Sequence, residues 1–408
     1  MRITKDERVN FMEKMLIVGG TWGVSTESER NWAPSGFVSK FAEAVHRCFE
    51  GNITVYNGGP YSAIKDILKT VGRYDYVFWW ANVDNSLPKL INVKEVAPKV
   101  MLINSKRCDD DKNTFGYMVQ RALIAKANLS FWFKKNEDGL ISMTVFDPLG
   151  SVWYQGENID NAAYATVERL RFLKSMTRQS SQKSETNKNL IMAWYFDQFK
   201  QDEYKSDKTI PIPDENDFVN VVKRYAEEFQ KFTPAAATTQ RFIGNASLRP
   251  LPPQVGRCGK GMPSFKHNGV VFVSKRNIDK RFIELNNFVP CYMEDDKLMY
   301  CGEDKPSVDT PVQIRLYEAL PQINYMLHSH CYIKGAPFTD VAIPCGAIEE
   351  ASEVLSVIKK ESLQNNKWIA INLLGHGALL MWSDMDEFHQ NVEPVVEYYK
   401  REMPEFMF

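Results

Sequence analysis

The sequence predicts an α/β protein of two domains, and three observations carry that reading. Its 408 residues exceed what a single hydrophobic core usually supports. The first 180 residues alternate short apolar runs with amphipathic stretches. A polar tract between Thr177 and Leu190 then interrupts the pattern, and a helical stretch followed by many short strand-like runs begins beyond it. The expected division is an α/β domain over residues 1–180, a linker or bridging segment over 181–213, and a second α/β domain over 214–408.

In the first domain the apolar runs are Met15–Val18, Ile53–Tyr56, Tyr76–Trp80, Val100–Ile103, Leu129–Phe133 and Ile141–Phe146, with amphipathic stretches at Phe37–Phe49 and Ala162–Met176. Strands separated by helices call for a mostly parallel, Rossmann-like sheet. The polar tract lacks aliphatic and aromatic residues, so it cannot bury enough surface to order itself. Ile191–Phe199 is strongly apolar and reads as a bridging segment that packs on either domain. In the second domain Val219, Val222, Tyr225 and Phe229 recur at helical spacing within Phe218–Phe232. Strands are expected at Val270–Val273, Phe288–Met293, Lys297–Cys301, Ile323–Ser329, Val341–Ile343, Ala370–Leu374 and Ala378–Met381. Helices are expected at Pro311–Ala319, Ile348–Glu361 and Asp384–Lys400.

A net charge of −1 removes any bulk argument for nucleic acid or an anionic membrane as partner. No apolar run approaches the length that spans a bilayer, and Met1–Asn10 is charged rather than signal-like, so a cytoplasmic location is expected. Seven cysteines at irregular positions form no CxxC pair and read as reduced thiols.

The chain has six histidines, and three sit where they can converge. His328 and His330 are two residues apart on a strand, which places both imidazoles on one face. His376 lies between Gly375 and Gly377, where the backbone can approach a neighbour closely. Three neutral imidazoles suit Zn²⁺ or another divalent metal and leave coordination positions open, as a catalytic site requires. Such an ion serves chemistry that builds negative charge next to a carbonyl, as when an enediolate forms. An HxH pair is by itself a weak signal, since alternating polar residues are common on half-buried strands. The remaining histidines, His46, His267 and His389, read as solvated.

Six ordered segments strengthen the set: Phe242–Arg249 (FIGNASLR), Val273–Lys280 (VSKRNIDK), Lys305–Pro311 (KPSVDTP), His328-Ser329-His330, Ile343–Gly346 (IPCG) and Gly375-His376-Gly377. In order and spacing they resemble the class II aldolase/adducin family over residues 214–408. The resemblance implies an α/β/α sandwich on a mostly antiparallel sheet, a homo-oligomer of tetrameric kind, and a phosphorylated small-molecule substrate. It also implies that His328, His330 and His376 hold the metal, and that Asn245, Ser247 and Ser307 contact the substrate phosphate. Lys275 and Arg276 stand where the family commonly has a proline-serine-glycine turn, so phosphate binding there would use cationic side chains. Asp309 occupies an acidic position that is Glu in typical fuculose- or rhamnulose-phosphate aldolases and Asp in ribulose-phosphate 4-epimerases. Its role as metal ligand or as acid/base stays open, and so does the choice among aldolase, epimerase and dehydratase. Candidates for a completing acid or base are Asp340, Tyr398 and Tyr399. The alternative is a non-catalytic oligomerising or binding protein on an aldolase-like scaffold.

In the first domain Leu16–Gly23 reads as a strand entering a glycine-rich turn, and Ser35-Gly36 opens the next helix. Gly19, Gly20, Thr21, Ser35 and Gly36 can present backbone N–H groups to the phosphate of a nucleotide, although glycine is also what a tight turn needs. The turn, with Ala81, Val83 and Asp84 and the following Lys89 and Lys94, is similar to phosphopantothenoylcysteine synthetases, which bind a nucleotide. Lys106 and Arg107, at a strand end, could meet an anion.

Overall fold

The computed structural model describes residues 12–24, 31–107, 114–136, 140–178, 198–233, 244–250, 269–360 and 367–401. His267, Phe242 and Ile243, and residues 179–197 of the polar tract and bridging segment lie outside the described residues.

The first sheet contains β1 (Lys14–Gly23), β2 (Asn52–Pro60), β3 (Tyr76–Trp79), β4 (Asn82–Val83), β5 (Met101–Arg107), β6 (Leu129–Lys135), β7 (Ile141–Phe146) and β8 (Val152–Gly156). Its order is β2-β1-β3-β5-β6-β7-β8, with β4 beside the end of β1. Pairing is parallel from β2 through β6 and antiparallel at β7 and β8. One face is covered by α1 (Gly36–Cys48), α4 (Phe115–Ala125) and α5 (Ile159–Ser175), the other by α2 (Tyr61–Thr70) and the short α3 (Val93–Val96). Burial on both faces explains why these strands read as continuous apolar runs.

The second sheet runs β16-β17-β14-β10-β11-β12-β13-β9. Its strands are β9 (Glu203–Ser206), β10 (Asn245–Leu248), β11 (Val271–Ser274), β12 (Phe288–Glu294), β13 (Lys297–Cys301), β14 (Tyr325–Ser329), β16 (Trp368–Leu373) and β17 (Gly377–Trp382). All neighbours are antiparallel except β13 and β9. The chain that leaves the first domain therefore supplies an edge strand to the second. Along β14, Tyr325 and Leu327 face α6 (Asn216–Phe232), whereas Met326 faces α7 (Thr310–Ala319) and α8 (Glu350–Lys360). This two-residue alternation separates two cores and completes a three-layer α/β/α sandwich. No helix among the described residues is long and apolar enough to cross a membrane.

Two expected elements differ. Val341–Ile343 is not a strand but irregular chain whose Ala342 and Ile343 side chains join the core of the first domain, while Arg169 Nη1 donates to Ala342 O at 2.7 Å. Asp384–Lys400 is not one helix. It comprises a short α9 (Met385–Glu387), a π-turn over Phe388–Val392 and β18 (Tyr398–Tyr399), which pairs with β15 (Tyr332–Ile333). Pro394 cannot donate to a helical carbonyl and its ring blocks the preceding turn, which ends the helix.

Candidate metal centre

β14 delivers His328 to the face shared by Met326, α7 and α8, and the chain leaves the strand at His330 with its ring on the same side, 5.0 Å away between centroids. His376 arrives from the turn between β16 and β17, its ring 4.5 Å from that of His328 and 5.3 Å from that of His330. Two glycines allow this convergence. A Cβ at Gly377 would run into Ser329 O and His330 Cα, and one at Gly244, whose φ is +97°, would run into His328 O.

The three side chains are buried, and one nitrogen from each lies within 4.8 Å of the others. His328 Nδ1 is 3.1 Å from Ala378 O, so it carries the proton and donates it, leaving Nε2 with a lone pair. His376 Nδ1 sits 2.7 Å from Glu350 Oε1, which fixes the same tautomer. Nε2 of His328 and Nε2 of His376 are both buried without a hydrogen-bond partner. Burial, aided by His376, pushes His328 down to about 3, and burial drives His330 well below the ordinary imidazole range, so both rings are neutral. Burial also works against protonation of His376, but the Glu350 carboxylate outweighs it and raises that pKa. Neutral rings with inward lone pairs are the form that ligates, and the donor set fits a divalent cation.

Asp309 is the N-cap residue of α7, yet its side chain caps no backbone N–H. It turns inward instead: Asn245 Nδ2 donates to Oδ2 at 2.7 Å, Cys345 Sγ approaches Oδ1 at 3.4 Å, and Oδ2 lies 3.9 Å from His328 Nε2. An N-cap carboxylate normally satisfies the first helical turn; here it faces the imidazole cluster instead. Asp309, Cys345 and His376 form a second overlapping group of donor atoms within 4.8 Å. Sequence reasoning did not single out Glu350, beside His376, or the Cys345 thiol, beside Asp309.

In the first domain the C-terminal ends of the parallel strands open into a cavity of about 610 Å³, lined in part by Gly20, Thr21, Ser35, Trp80, Asn82 and Arg121. It lies where β2 and β3 flank β1 on opposite sides, the switch point at which open α/β sheets bind ligands. Gly20, with φ of +72°, makes the turn; Ser35 Oγ caps α1 by accepting from Val38 N. Gly19 packs against Val38, Gly36 is the first residue of α1, and the Lys94 amine is spent on Pro98 O and Val100 O.

A family model described as the Class II Aldolase and Adducin N-terminal domain matches residues 224–398. Over those residues the chain is similar to class II aldolase and adducin domains. No curated protein matches the chain significantly. Among solved structures, L-fuculose 1-phosphate aldolase is similar at 15% identity and a TM-score of 0.30, covering 44% of this chain and 82% of that one. The L-fuculose-1-phosphate aldolase of Thermus thermophilus is 18% identical, with a TM-score of 0.25 and coverage of 40% and 78%. The DNA/pantothenate metabolism flavoprotein of Streptococcus pneumoniae is 13% identical, with a TM-score of 0.32 and coverage of 40% and 99%.

Within the aldolase-type domain, the residues expected at a substrate phosphate are not equally available. Asn245 is buried between Asp309 and Gln313, and Ser247 is buried against the Tyr317 hydroxyl at 3.1 Å. Arg276 donates to Glu203 at 2.7 Å, and Lys275 pairs with Asp304 at 3.3 Å. Ser307 stays half-buried just before α7. Asp340 is exposed on the loop after β15, outside the buried cluster. Tyr398 packs against Tyr225 and Phe229 of α6, on the sheet face opposite His328, and Tyr399 packs against Tyr332. His46 and His389 are exposed, the latter paired with Asp217 and Glu393.

Proposed function

We propose that the C-terminal domain is a divalent-metal-dependent lyase or epimerase acting on a phosphorylated sugar or related anion, and that the first domain holds a nucleotide. The observation that carries the first part is the pair of buried, unpartnered Nε2 atoms of His328 and His376, beside the His330 ring. A divalent ion held by His328, His330 and His376, zinc by the all-imidazole donor set, would supply a Lewis acid able to stabilise negative charge on a substrate oxygen.

Each surrounding residue has a task. Glu350 keeps His376 in the tautomer that points Nε2 inward. Asn245 and Cys345 hold the Asp309 carboxylate at the edge of the imidazole cluster. There it either completes the donor set or takes the proton from the substrate carbon next to the carbonyl. Asp309→Asn distinguishes the two roles: the ion is lost in the first case, and kept with turnover abolished in the second. The nucleotide assignment draws on the switch-point cavity and its glycine turn at Gly20-Thr21.

The deciding experiment is metal analysis of the purified protein, coupled to a screen of phosphorylated ketoses for cleavage against epimerisation. One divalent ion per chain, lost together with activity in His328→Ala, is expected. An activity unchanged in that variant, or no stoichiometric ion in the parent protein, would sink the catalytic reading.

A further inference from the structure

Of the residues expected to cradle a phosphate in the first domain, Gly20, Thr21 and Ser35 line the switch-point cavity. Two of their three N–H groups are already spent. Thr21 N donates to Ala33 O at 2.8 Å, and Ala33 N returns to Thr21 O at 3.3 Å. Ser35 N donates to Asn57 Oδ1 at 2.8 Å, and Asn57 Nδ2 returns to Ser35 O at 2.9 Å. A Cβ at Gly20 would strike Gly58 N, Ala33 O and Asn57 Oδ1, and one at Gly58 would strike Ala33 O. These glycines therefore let the ends of β1 and β2 pack on the chain that leads into α1, and that packing consumes the donors a phosphate would need.

Arg121 supplies what the turn does not. It lies on α4, its side chain is exposed, and it lines the same cavity. Among the described residues its guanidinium meets no hydrogen-bond acceptor and no carboxylate. It is also the one charged side chain among the described residues that line the cavity. Much of the remaining wall is aromatic: the Phe37 ring centre is 4.7 Å from that of Phe133 and 6.0 Å from that of Trp80. An aromatic wall with one convergent cation suits a ligand that joins a flat ring to an anionic group, and the guanidinium fork matches phosphate oxygens in pairs.

We infer that Arg121 is the anion anchor of this cavity and binds a phosphate of the nucleotide. The assignment rests on the nucleotide reading above and changes where the charged end of the ligand lies: at α4, not at the N-terminus of α1.

The test is calorimetric titration of the full chain with adenosine, guanosine, cytidine and uridine, each as the free nucleoside, the 5′-monophosphate and the 5′-triphosphate. Arg121→Met removes the charge at an exposed position, so its melting temperature should match the parent's. In the parent, the best phosphorylated form is expected to bind about ten-fold or more tightly than its nucleoside, the effect of one charge-assisted hydrogen-bond pair. In Arg121→Met that preference should vanish while nucleoside affinity stays as in the parent. Arg121→Lys should restore part of it, since an ammonium keeps the charge without the fork. A phosphate preference that survives in Arg121→Met, or equal losses for nucleoside and nucleotide, would overturn the Arg121 assignment and leave the nucleotide reading standing. A parent protein that binds none of these compounds would overturn both.

Discussion

Glu350 acts on the imidazole cluster without being one of its rings. Its carboxylate is buried and meets His376 Nδ1 at 2.7 Å, so it selects which nitrogen of that ring faces the cluster. Glu350→Gln keeps a group able to accept the same hydrogen bond but removes the charge. Partners of this kind contribute about ten- to a hundred-fold to metal affinity, and a zinc affinity reduced by that factor is expected with the fold intact. Chelator competition measures it; an unchanged affinity would remove Glu350 from the site. The three histidines were legible because their signals are local, a strand period of two and a histidine between glycines. Glu350 was not, because it lies 26 residues from its partner and is one of two acidic residues in the first turn of a helix, a common place for a carboxylate. The same limit applies to charge: Arg276 looks like a phosphate ligand until Glu203 is seen beside it.

Among elements, the edge strand β9 is anchored by one buried carboxylate. Glu203 is 3% exposed and meets Arg276 at 2.7 Å, Lys200 at 3.1 Å and Lys305 at 3.1 Å. Burial alone would raise its pKa, but Arg276, Lys200 and Lys305 together bring it down to about 2. A carboxyl whose folded pKa lies below its unfolded value of about 4.5 adds stability above that value and loses it as pH falls towards about 2. The displacement corresponds to roughly 3 kcal/mol at neutral pH, an upper figure because Lys305 is half exposed. Glu203→Gln should therefore lower stability by about 1–3 kcal/mol at pH 7, with the gap narrowing as pH falls below about 4.5. Denaturant unfolding at pH 7, 4.5 and 3 checks it, and a gap independent of pH would refute it. β9 escaped sequence reading because Glu203–Ser206 is polar and carries no apolar alternation, whereas long runs such as Leu129–Phe133 were plain. Pro394, visible in the sequence, was the signal that Asp384–Lys400 could not be one helix.

At the scale of the whole molecule, the two sheets are joined beside the imidazole cluster. Val308, Ala342, Ile343, Cys345 and Ala347 complete the core of the first domain, so the Ile343–Gly346 segment serves both halves. The presence of two α/β domains was legible in the change of pattern along the chain; this interface was not, because its contacts link residues far apart in sequence. Asp147 accepts from Leu149 N and Ser151 N and so shapes a turn that faces the second domain. Arg401 bridges the two: it donates to Leu149 O and Ser151 Oγ on one side and to Gly375 O at 3.0 Å and His376 O at 3.3 Å on the other. Arg169 crosses the same interface elsewhere, donating to Ala342 O with its guanidinium 3.7 Å from the Trp153 ring centre. Removing either arginine strands buried carbonyls and should lower the melting temperature, since one unsatisfied buried acceptor costs about 1–3 kcal/mol. Only Arg401 grips the turn that carries His376, so the two variants should part in metal binding. Arg401→Met is expected to weaken zinc binding by about ten-fold, as loss of an outer partner does, while Arg169→Met loses stability and keeps its zinc affinity. Thermal melts and chelator titrations on both variants give the answer. Equal zinc affinities at matched losses of stability would show that the first domain only packs against the turn that carries His376 and does not hold it in place.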